Sequence, residues 1–107
     1  MSEFVILYVT APDTPTANTL ARALIDDHAA ACVNVLPGVT SHFAWDGATQ
    51  CAEETVMFVK TTVKTASRAR QLIAELHPYD TPAIIALPID RNRSSGAYLD
   101  WISLQTP

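Results

Sequence analysis

The feature that most constrains the fold of this 107-residue chain is an Asp46–Gly47 turn between two long strand-forming stretches. Asp-Gly favours the two-residue hairpin turn whose twist matches that of paired strands. Residues 31–45 precede the turn and residues 48–62 follow it, and much of each stretch is rich in β-branched and aromatic side chains. Pro37–Gly38 interrupts the first stretch, and because proline removes a ladder donor, a β-bulge is predicted there. The sequence therefore predicts one long, bent β-hairpin.

Two amphipathic helices are predicted, one on each side of this hairpin. Residues 14–28 repeat apolar side chains at three- and four-residue spacing, and Thr14 is the predicted N-cap of that helix. The second helix is predicted to begin at a cap formed by Thr65 or Ser67. Pro78 ends it, because a proline disfavours helical backbone in the residue before it.

Shorter apolar segments complete the set of elements. Residues 3–10 and 83–89 are predicted strands, Pro88 places the second one at a sheet edge, and residues 98–102 predict a short C-terminal helix. With right-handed crossovers and short connections, this βαββαβ order gives an α+β fold, a ferredoxin-like split βαβ sandwich with both long helices on one sheet face. Residues 1–107 are predicted to form a single domain whose other sheet face is left for a partner or for solvent.

The composition favours self-association and argues against nucleic-acid binding. Hydrophobic residues make up 49% of the chain and charged residues 17%. The hydrophobic fraction is high for so small a domain, and it suggests that a second subunit covers part of the surface. The net charge is -4, and the basic residues form no cluster apart from Arg91 and Arg93. A protein that binds phosphate backbones is therefore not expected.

Residues 1–10 predict a cytoplasmic location. They contain no basic lead and no small-residue cleavage site, and their apolar run is far shorter than the roughly 20 residues that span a bilayer. The chain contains Cys32 and Cys51 but no Cys-x-x-Cys motif, so reduced thiols are expected. The sequence thus predicts a cytoplasmic protein with no membrane contact.

The register of the hairpin predicts where the two cysteines lie. With Asp46 and Gly47 as the turn residues, His42 falls opposite Cys51, at about 5 Å between Cβ atoms. Cys32 then lies about 30 Å from Cys51 along the hairpin. Because bridged Cα atoms lie within about 7 Å of each other, an intrachain disulfide is excluded. The His42–Cys51 pair is interpreted as an exposed cross-strand pair, since two ligands alone hold a metal ion weakly.

Three further side chains each leave two interpretations open. Cys32, at the start of a core strand, is a small buried hydrophobe or a soft metal ligand. His77 closes the second helix and is a C-terminal cap or a ligand, and Lys60 either extends to solvent or neutralises a bound anion. The sequence contains no Gly-rich phosphate loop, nucleophile elbow or His-Glu-x-x-His motif, so no enzymatic activity is predicted.

Several short motifs, spread over nearly the whole chain, resemble the CutA family of divalent-cation tolerance proteins. Their order and spacing together are much more specific than any one of them. The motifs are TAPD at 10–13, AACVN at 30–34, LPGVTS at 36–41, Lys60–Thr61, HPY at 77–79, Pro82, ALP at 86–88 and YLDW at 98–101.

This resemblance implies a tight homotrimer of ferredoxin-like subunits, similar in build to the trimeric nitrogen-regulatory signal proteins, with clefts between the subunits. The bent hairpin would then reach a neighbouring subunit and bury Phe43 and Trp45 in the trimer interface. Proteins of this family are associated with copper and other divalent metals. The resemblance makes Cys32 the first candidate ligand and His77 the second.

The main prediction is therefore a homotrimer that binds copper or another divalent or soft metal ion and contributes to metal tolerance. One alternative is a signalling module that senses a small anionic ligand in the intersubunit cleft, and another is a structural trimer that anchors a partner protein. Metal binding predicts dependence on Cys32 and His77, whereas anion sensing predicts dependence on Lys60. The candidate residues of the cleft are Asn34, Lys60, Tyr79, Tyr98 and Trp101.

Overall fold

The computed structural model describes residues 3–107 and contains one four-stranded antiparallel sheet. The strands are β1 (Phe4–Ala11), β2 (Cys32–Trp45), β3 (Ala48–Thr62) and β4 (Ile84–Pro88). They lie in the order β2-β3-β1-β4, which is the arrangement of a ferredoxin-like split βαβ fold, and the predicted fold class is confirmed. A single 3₁₀ turn at Arg91–Arg93 lies within the segment between β4 and the last helix. The helices are α1 (Thr14–Asp26), α2 (Val63–Leu76) and α3 (Gly96–Gln105).

The long hairpin of β2 and β3 has the predicted turn, register and bulge. Asp46 and Gly47 have φ values of 50° and 77°, and positive φ at both central residues is what the favoured hairpin turn requires. His42 lies opposite Cys51, and the register shifts between Leu36 and Val39, where Pro37–Gly38 lies. β1 pairs with residues 55–62 of β3, so within residues 3–107 the outer part of the hairpin has no third strand beside it, and the described molecule measures 44 × 27 × 22 Å overall.

Helix α1 begins one residue earlier than the sequence pattern indicates. Asp13, not Thr14, is the N-cap, because its carboxylate accepts a hydrogen bond from the Thr16 backbone N–H at 2.8 Å. Hydrogen bonds from the Thr16 side chain and from its backbone N–H lower the pKa of Asp13. The helix ends at Asp26 rather than at His28, which has left-handed backbone with φ of 56°.

Helix α2 also begins earlier than predicted. Thr62, the last residue of β3, is its N-cap, and its hydroxyl accepts from the Thr65 backbone N–H at 3.3 Å. The predicted caps, Thr65 and Ser67, lie inside the helix. The strand runs directly into the helix, so no polar loop marks the boundary in the sequence. His77 is the C-cap, as the sequence indicated.

The two long helices cover one face of the sheet and form the main core with it. Residues of β1 alternate, and those at odd positions from Val5 to Ala11 are buried under the helices. The main core consists of Val5, Leu7, Val9, Ala11, Ala17, Leu20, Leu24, Ala29, Ala30, Met57, Val59, Ala69 and Ile73. None of the helices within residues 3–107 is long and apolar enough to span a membrane.

The opposite sheet face, which we call the open face, is covered only at one end. There Leu99 and Ile102 of α3 pack with Phe4 and Ala31 in a second, smaller core. The rest of the face is mostly apolar and partly exposed to solvent, and Ile85 at 53% exposure is its most exposed aliphatic side chain. The register places these residues on the open face: Ile6, Tyr8, Cys32, Asn34, Leu36, Val56, Phe58, Lys60, Ile85 and Leu87.

The projecting hairpin continues the open face. Its register puts Phe43 opposite Gln50 and Trp45 opposite Ala48, on the side of β3 that carries Phe58 and Lys60. Phe43 is 41% exposed and Trp45 is 69% exposed. The exposed aromatic side chains of the hairpin tip therefore lie on the same side of the sheet as the exposed aliphatic side chains of β2 and β4.

Candidate functional site

Four of the residues singled out in the sequence lie together where α3 meets the open face. Cys32 and Lys60 are directly opposed partners in neighbouring strands, and the Lys60 Nζ donates a hydrogen bond to the Tyr98 hydroxyl at 3.3 Å. The Tyr98 and Trp101 rings lie 5.5 Å apart between centroids, tilted by 35°. We call these residues, Cys32, Lys60, Tyr98 and Trp101, the sheet-end cluster.

Helix α3 positions the two aromatic members of the cluster. The Ser95 hydroxyl caps the helix by accepting from the Tyr98 backbone N–H at 3.3 Å. Leu99 and Ile102 are buried against the end of the sheet, which leaves Tyr98 and Trp101 half exposed on another side of the helix. The helix thus buries Leu99 and Ile102 and leaves the Tyr98 and Trp101 rings accessible.

The Lys60 ammonium has an unusual set of neighbours. It lies 5.3 Å from the centroid of the Tyr98 ring as well as near the hydroxyl. No ion pair within residues 3–107 includes Lys60. Asn34 is exposed on the same face, two residues along β2 from Cys32. The cluster thus presents a thiol, an ammonium group and two aromatic rings on one surface.

His77 lies at the other end of the sheet and is held by two hydrogen bonds. Its Nδ1 accepts from the Tyr79 backbone N–H at 3.1 Å, so Nε2 carries the proton and donates to the Thr10 carbonyl at 2.8 Å. Both ring nitrogens of this buried side chain are therefore engaged, and neither offers a lone pair to a metal ion. Thr10 lies four positions along β1 from Ile6, the partner of Lys60, or about 13 Å.

One chain consequently does not bring Cys32 and His77 together. This arrangement could not be predicted from the sequence, because the His77–Thr10 hydrogen bond joins residues 67 positions apart. No local pattern reports such a contact. A metal site that used both residues would need two subunits and would have to displace one hydrogen bond of His77.

Tyr79 also lies apart from the sheet-end cluster. Its ring packs on His77 with centroids 4.9 Å apart. Burial raises the pKa of the Tyr79 hydroxyl, and the negative charges of Glu54 and Asp13 raise it further. The five cleft candidates are therefore divided between two ends of the sheet, with Asn34, Lys60, Tyr98 and Trp101 at one end and Tyr79 at the other.

We expect His77→Leu to lower the free energy of unfolding by about 1–3 kcal/mol, because it leaves the Thr10 carbonyl and the Tyr79 N–H without partners. Urea unfolding at fixed protein concentration measures the change, and the exposed substitution His42→Leu is the control. If His77→Leu unfolds at the same urea concentration as the parent, the two hydrogen bonds do not stabilise the fold.

Ordinary metal-ligand clusters are absent from the part of the chain that the structure describes. No group of three or more His, Cys, Asp or Glu side chains within residues 3–107 is placed to hold a metal ion. Cys32 and Cys51 are both free thiols, which agrees with the predicted lack of a disulfide. The His42–Cys51 pair lies on the exposed hairpin and supplies only two ligands.

The family model described as CutA1 divalent ion tolerance protein matches residues 5–105 of this chain. The chain belongs to the CutA1 family. A CutA1 relative, the divalent-cation tolerance protein CutA of Thermus thermophilus, is 39% identical over 102 residues, which cover 94% of this chain and 96% of the relative.

Solved CutA1 structures have the same fold. The Thermus thermophilus structure superposes with a TM-score of 0.92 at 36% identity, covering 97% of this chain and 99% of that one. CutA1 from the psychrotrophic bacterium Shewanella sp. SIB1 gives a TM-score of 0.94 at 33% identity, and the superposition covers 99% of this chain and 97% of that one. The divalent-cation tolerance family suggested by the sequence motifs is thus confirmed.

The prediction of a cytoplasmic location is wrong, because CutA1 proteins are not confined to that compartment. The Arabidopsis thaliana relative, 33% identical over 102 residues, is named as chloroplastic. The matched residues cover 95% of this chain and 55% of that protein. The Archaeoglobus fulgidus structure, with a TM-score of 0.92 at 36% identity and coverage of 97% and 99%, is named as periplasmic. A short apolar first strand therefore does not define the compartment.

Proposed function

We propose that three copies of this CutA1 chain assemble through the open face and that the assembly binds divalent or soft metal ions, copper among them. Cys32 is the thiol ligand in this proposal, and the protein acts by binding and not by catalysis. The observation that best supports it is the location of Cys32 on the open face. There a second copy can supply ligands that residues 3–107 of one copy do not bring together.

The assembly follows from the apolar surface. Leu36, Ile85 and Leu87 are each more than two-fifths exposed on the open face, and the hairpin adds Phe43 and Trp45. A surface that runs the length of a 44 Å molecule can provide the large apolar interface of an obligate oligomer. We therefore expect the trimer to persist at micromolar protein concentration.

The metal role is assigned to Cys32 alone among the ligands predicted from the sequence. Thiolate sulfur is a preferred ligand of copper(I) and of zinc. His77 is left out because both of its ring nitrogens make hydrogen bonds inside the subunit. In this proposal His77 has a structural role.

We expect Cys32→Ser to lower copper(I) affinity at least tenfold, or about 1.4 kcal/mol, because a hydroxyl is a poor ligand for a soft ion. Cys51→Ser is the matched control, since its thiol lies exposed on the hairpin, and it should leave the tight component unchanged. Both variants are titrated anaerobically under reducing conditions against a chelator of known affinity. Parent-like binding by Cys32→Ser, or loss of all binding in Cys51→Ser, would contradict the assignment.

A second candidate function is the sensing of a small anionic ligand. The Lys60 ammonium supports this function, because it lies on the open face and forms no ion pair within residues 3–107. Its hydrogen-bond partner is the Tyr98 hydroxyl. Burial of this face in a trimer would increase the need for a compensating negative charge. If the anion binds alone, native mass spectrometry should detect an anion adduct that Lys60→Met removes and Cys32→Ser retains.

A further inference from the structure

We infer that the ligand of the sheet-end cluster is a metal ion already chelated by a small polycarboxylate, not a bare cation and not a free anion. This inference rests on the proposed function, because it uses Cys32 as the metal ligand. It adds the chemical form in which the metal arrives and the residues that recognise the chelating anion.

A bare cation fits the cluster poorly. Cys32 and Lys60 are directly opposed on neighbouring strands and on the same face, which places their Cβ atoms about 5 Å apart. A cation on the sulfur would therefore lie beside a lysine whose ammonium group forms no ion pair within residues 3–107. Like charges on neighbouring side chains repel each other, most strongly where the surface is shielded from water.

A chelate with negative charge removes this repulsion and uses both groups. One part of the chelate, the metal ion, bonds to the Cys32 sulfur while the thiol proton leaves to solvent and a water or carboxylate oxygen leaves the metal. Another part, a carboxylate that remains free, accepts hydrogen bonds from the Lys60 ammonium. The remaining coordination positions stay with the chelating oxygens, so a single protein ligand is sufficient.

The aromatic members of the cluster complete the recognition surface. The Lys60 Nζ donates to the Tyr98 oxygen at 3.3 Å, so the phenolic hydrogen is free to donate to a second carboxylate oxygen. Tyr98 and Trp101 are 40% and 39% exposed, and their rings present an apolar surface to the carbon skeleton of the chelate. The cluster therefore contains a contact for each part of a metal–polycarboxylate complex.

Zinc(II) and citrate are the probes for this inference. Zinc is divalent, accepts both thiolate and carboxylate ligands, and does not oxidise thiols. Equilibrium dialysis under reducing conditions measures the zinc retained by the protein at a fixed free zinc concentration, with and without citrate. We expect citrate to raise zinc retention at least tenfold, with citrate retained in equal amount. Citrate that only competes for zinc would give no gain at fixed free zinc and no protein-bound citrate.

Three variants separate the parts of the cluster. Lys60→Met should lose the gain from citrate, whereas the control Lys64→Met, at an exposed lysine on α2, should keep it. Cys32→Ser should lose zinc in both conditions. Sedimentation of each variant confirms that it is assembled like the parent before binding is compared.

The outcomes distinguish this inference from the proposed function. If zinc is retained through Cys32 but citrate gives no gain, or if Lys60→Met keeps the gain, the chelate inference is overturned while metal binding stands. If zinc retention does not depend on Cys32 in either condition, the proposed metal role fails and the inference fails with it. A gain from citrate that needs both Cys32 and Lys60 supports both.

Discussion

Ile85→Glu should convert the proposed trimer into monomers at micromolar protein concentration. Ile85 lies near the middle of β4 on the open face, paired with Tyr8, and is 53% exposed in the single chain. In the trimer this position becomes apolar and dry, and a carboxylate without a partner there costs at least about 3 kcal/mol for each subunit. Sedimentation velocity over a dilution series measures the change in mass.

The matched control for this substitution is Ile25→Glu on helix α1. Ile25 is also an exposed isoleucine, at 39%, but α1 packs on the other face of the sheet. This variant should remain a trimer and should unfold at nearly the parent temperature. A trimeric Ile85→Glu protein, or a monomeric Ile25→Glu protein, would contradict assembly through the open face.

The parts of the fold that could be predicted from the sequence depend on contacts that are close along the chain. The Asp46–Gly47 turn determines the register of β2 against β3, so the positions of His42 and Cys51 followed from counting residues. The residues at which the helices begin were harder to predict from the sequence. Thr62 ends a strand and caps a helix at once, and nothing in its immediate neighbours marks that double role.

The candidate site was predictable only as a set of residue types. Lys60, Tyr98 and Trp101 were named as cleft candidates, and the structure brings them together through the packing of α3. The pairing of Lys60 with Cys32 depends on the bulge at Pro37–Gly38, because simple counting from the turn would place Cys32 opposite Thr61. The location of α3 over the end of the sheet depends on the burial of Leu99 and Ile102. Tyr79 was grouped with them, but its loop packs at the other end of the sheet.

A trimer that joins open faces can bring the sheet-end cluster of one subunit near the hairpin of another, so assembly and ligand binding are expected to depend on each other. Substitutions at the tip of the hairpin are informative because they lie far from Cys32 along the strand and from the main core. They can change assembly without removing a ligand or unfolding the subunit.

Trp45→Ala is the substitution that best separates assembly from subunit stability. The Trp45 side chain is 69% exposed in the single chain, so its removal should hardly affect the fold of the subunit. If a neighbouring subunit buries it, the loss of so large an aromatic contact should weaken assembly by about 2–4 kcal/mol for each copy. We expect the trimer to dissociate at protein concentrations at which the parent stays intact, while circular dichroism of the subunit remains unchanged.

Fluorescence supplies an independent measurement of the same contact. The chain contains two tryptophans, so Trp101→Phe leaves Trp45 as the sole tryptophan, whose emission is followed with excitation selective for indole. Its emission should shift to longer wavelength as the trimer dissociates on dilution, because the indole moves from an apolar contact into water. His42→Ala is the control, since alternation along β2 places His42 on the opposite face of the hairpin from Phe43 and Trp45. An assembly constant that is the same in Trp45→Ala as in the parent would show that the hairpin tip makes no contact between subunits, and the interface would then be limited to the sheet itself.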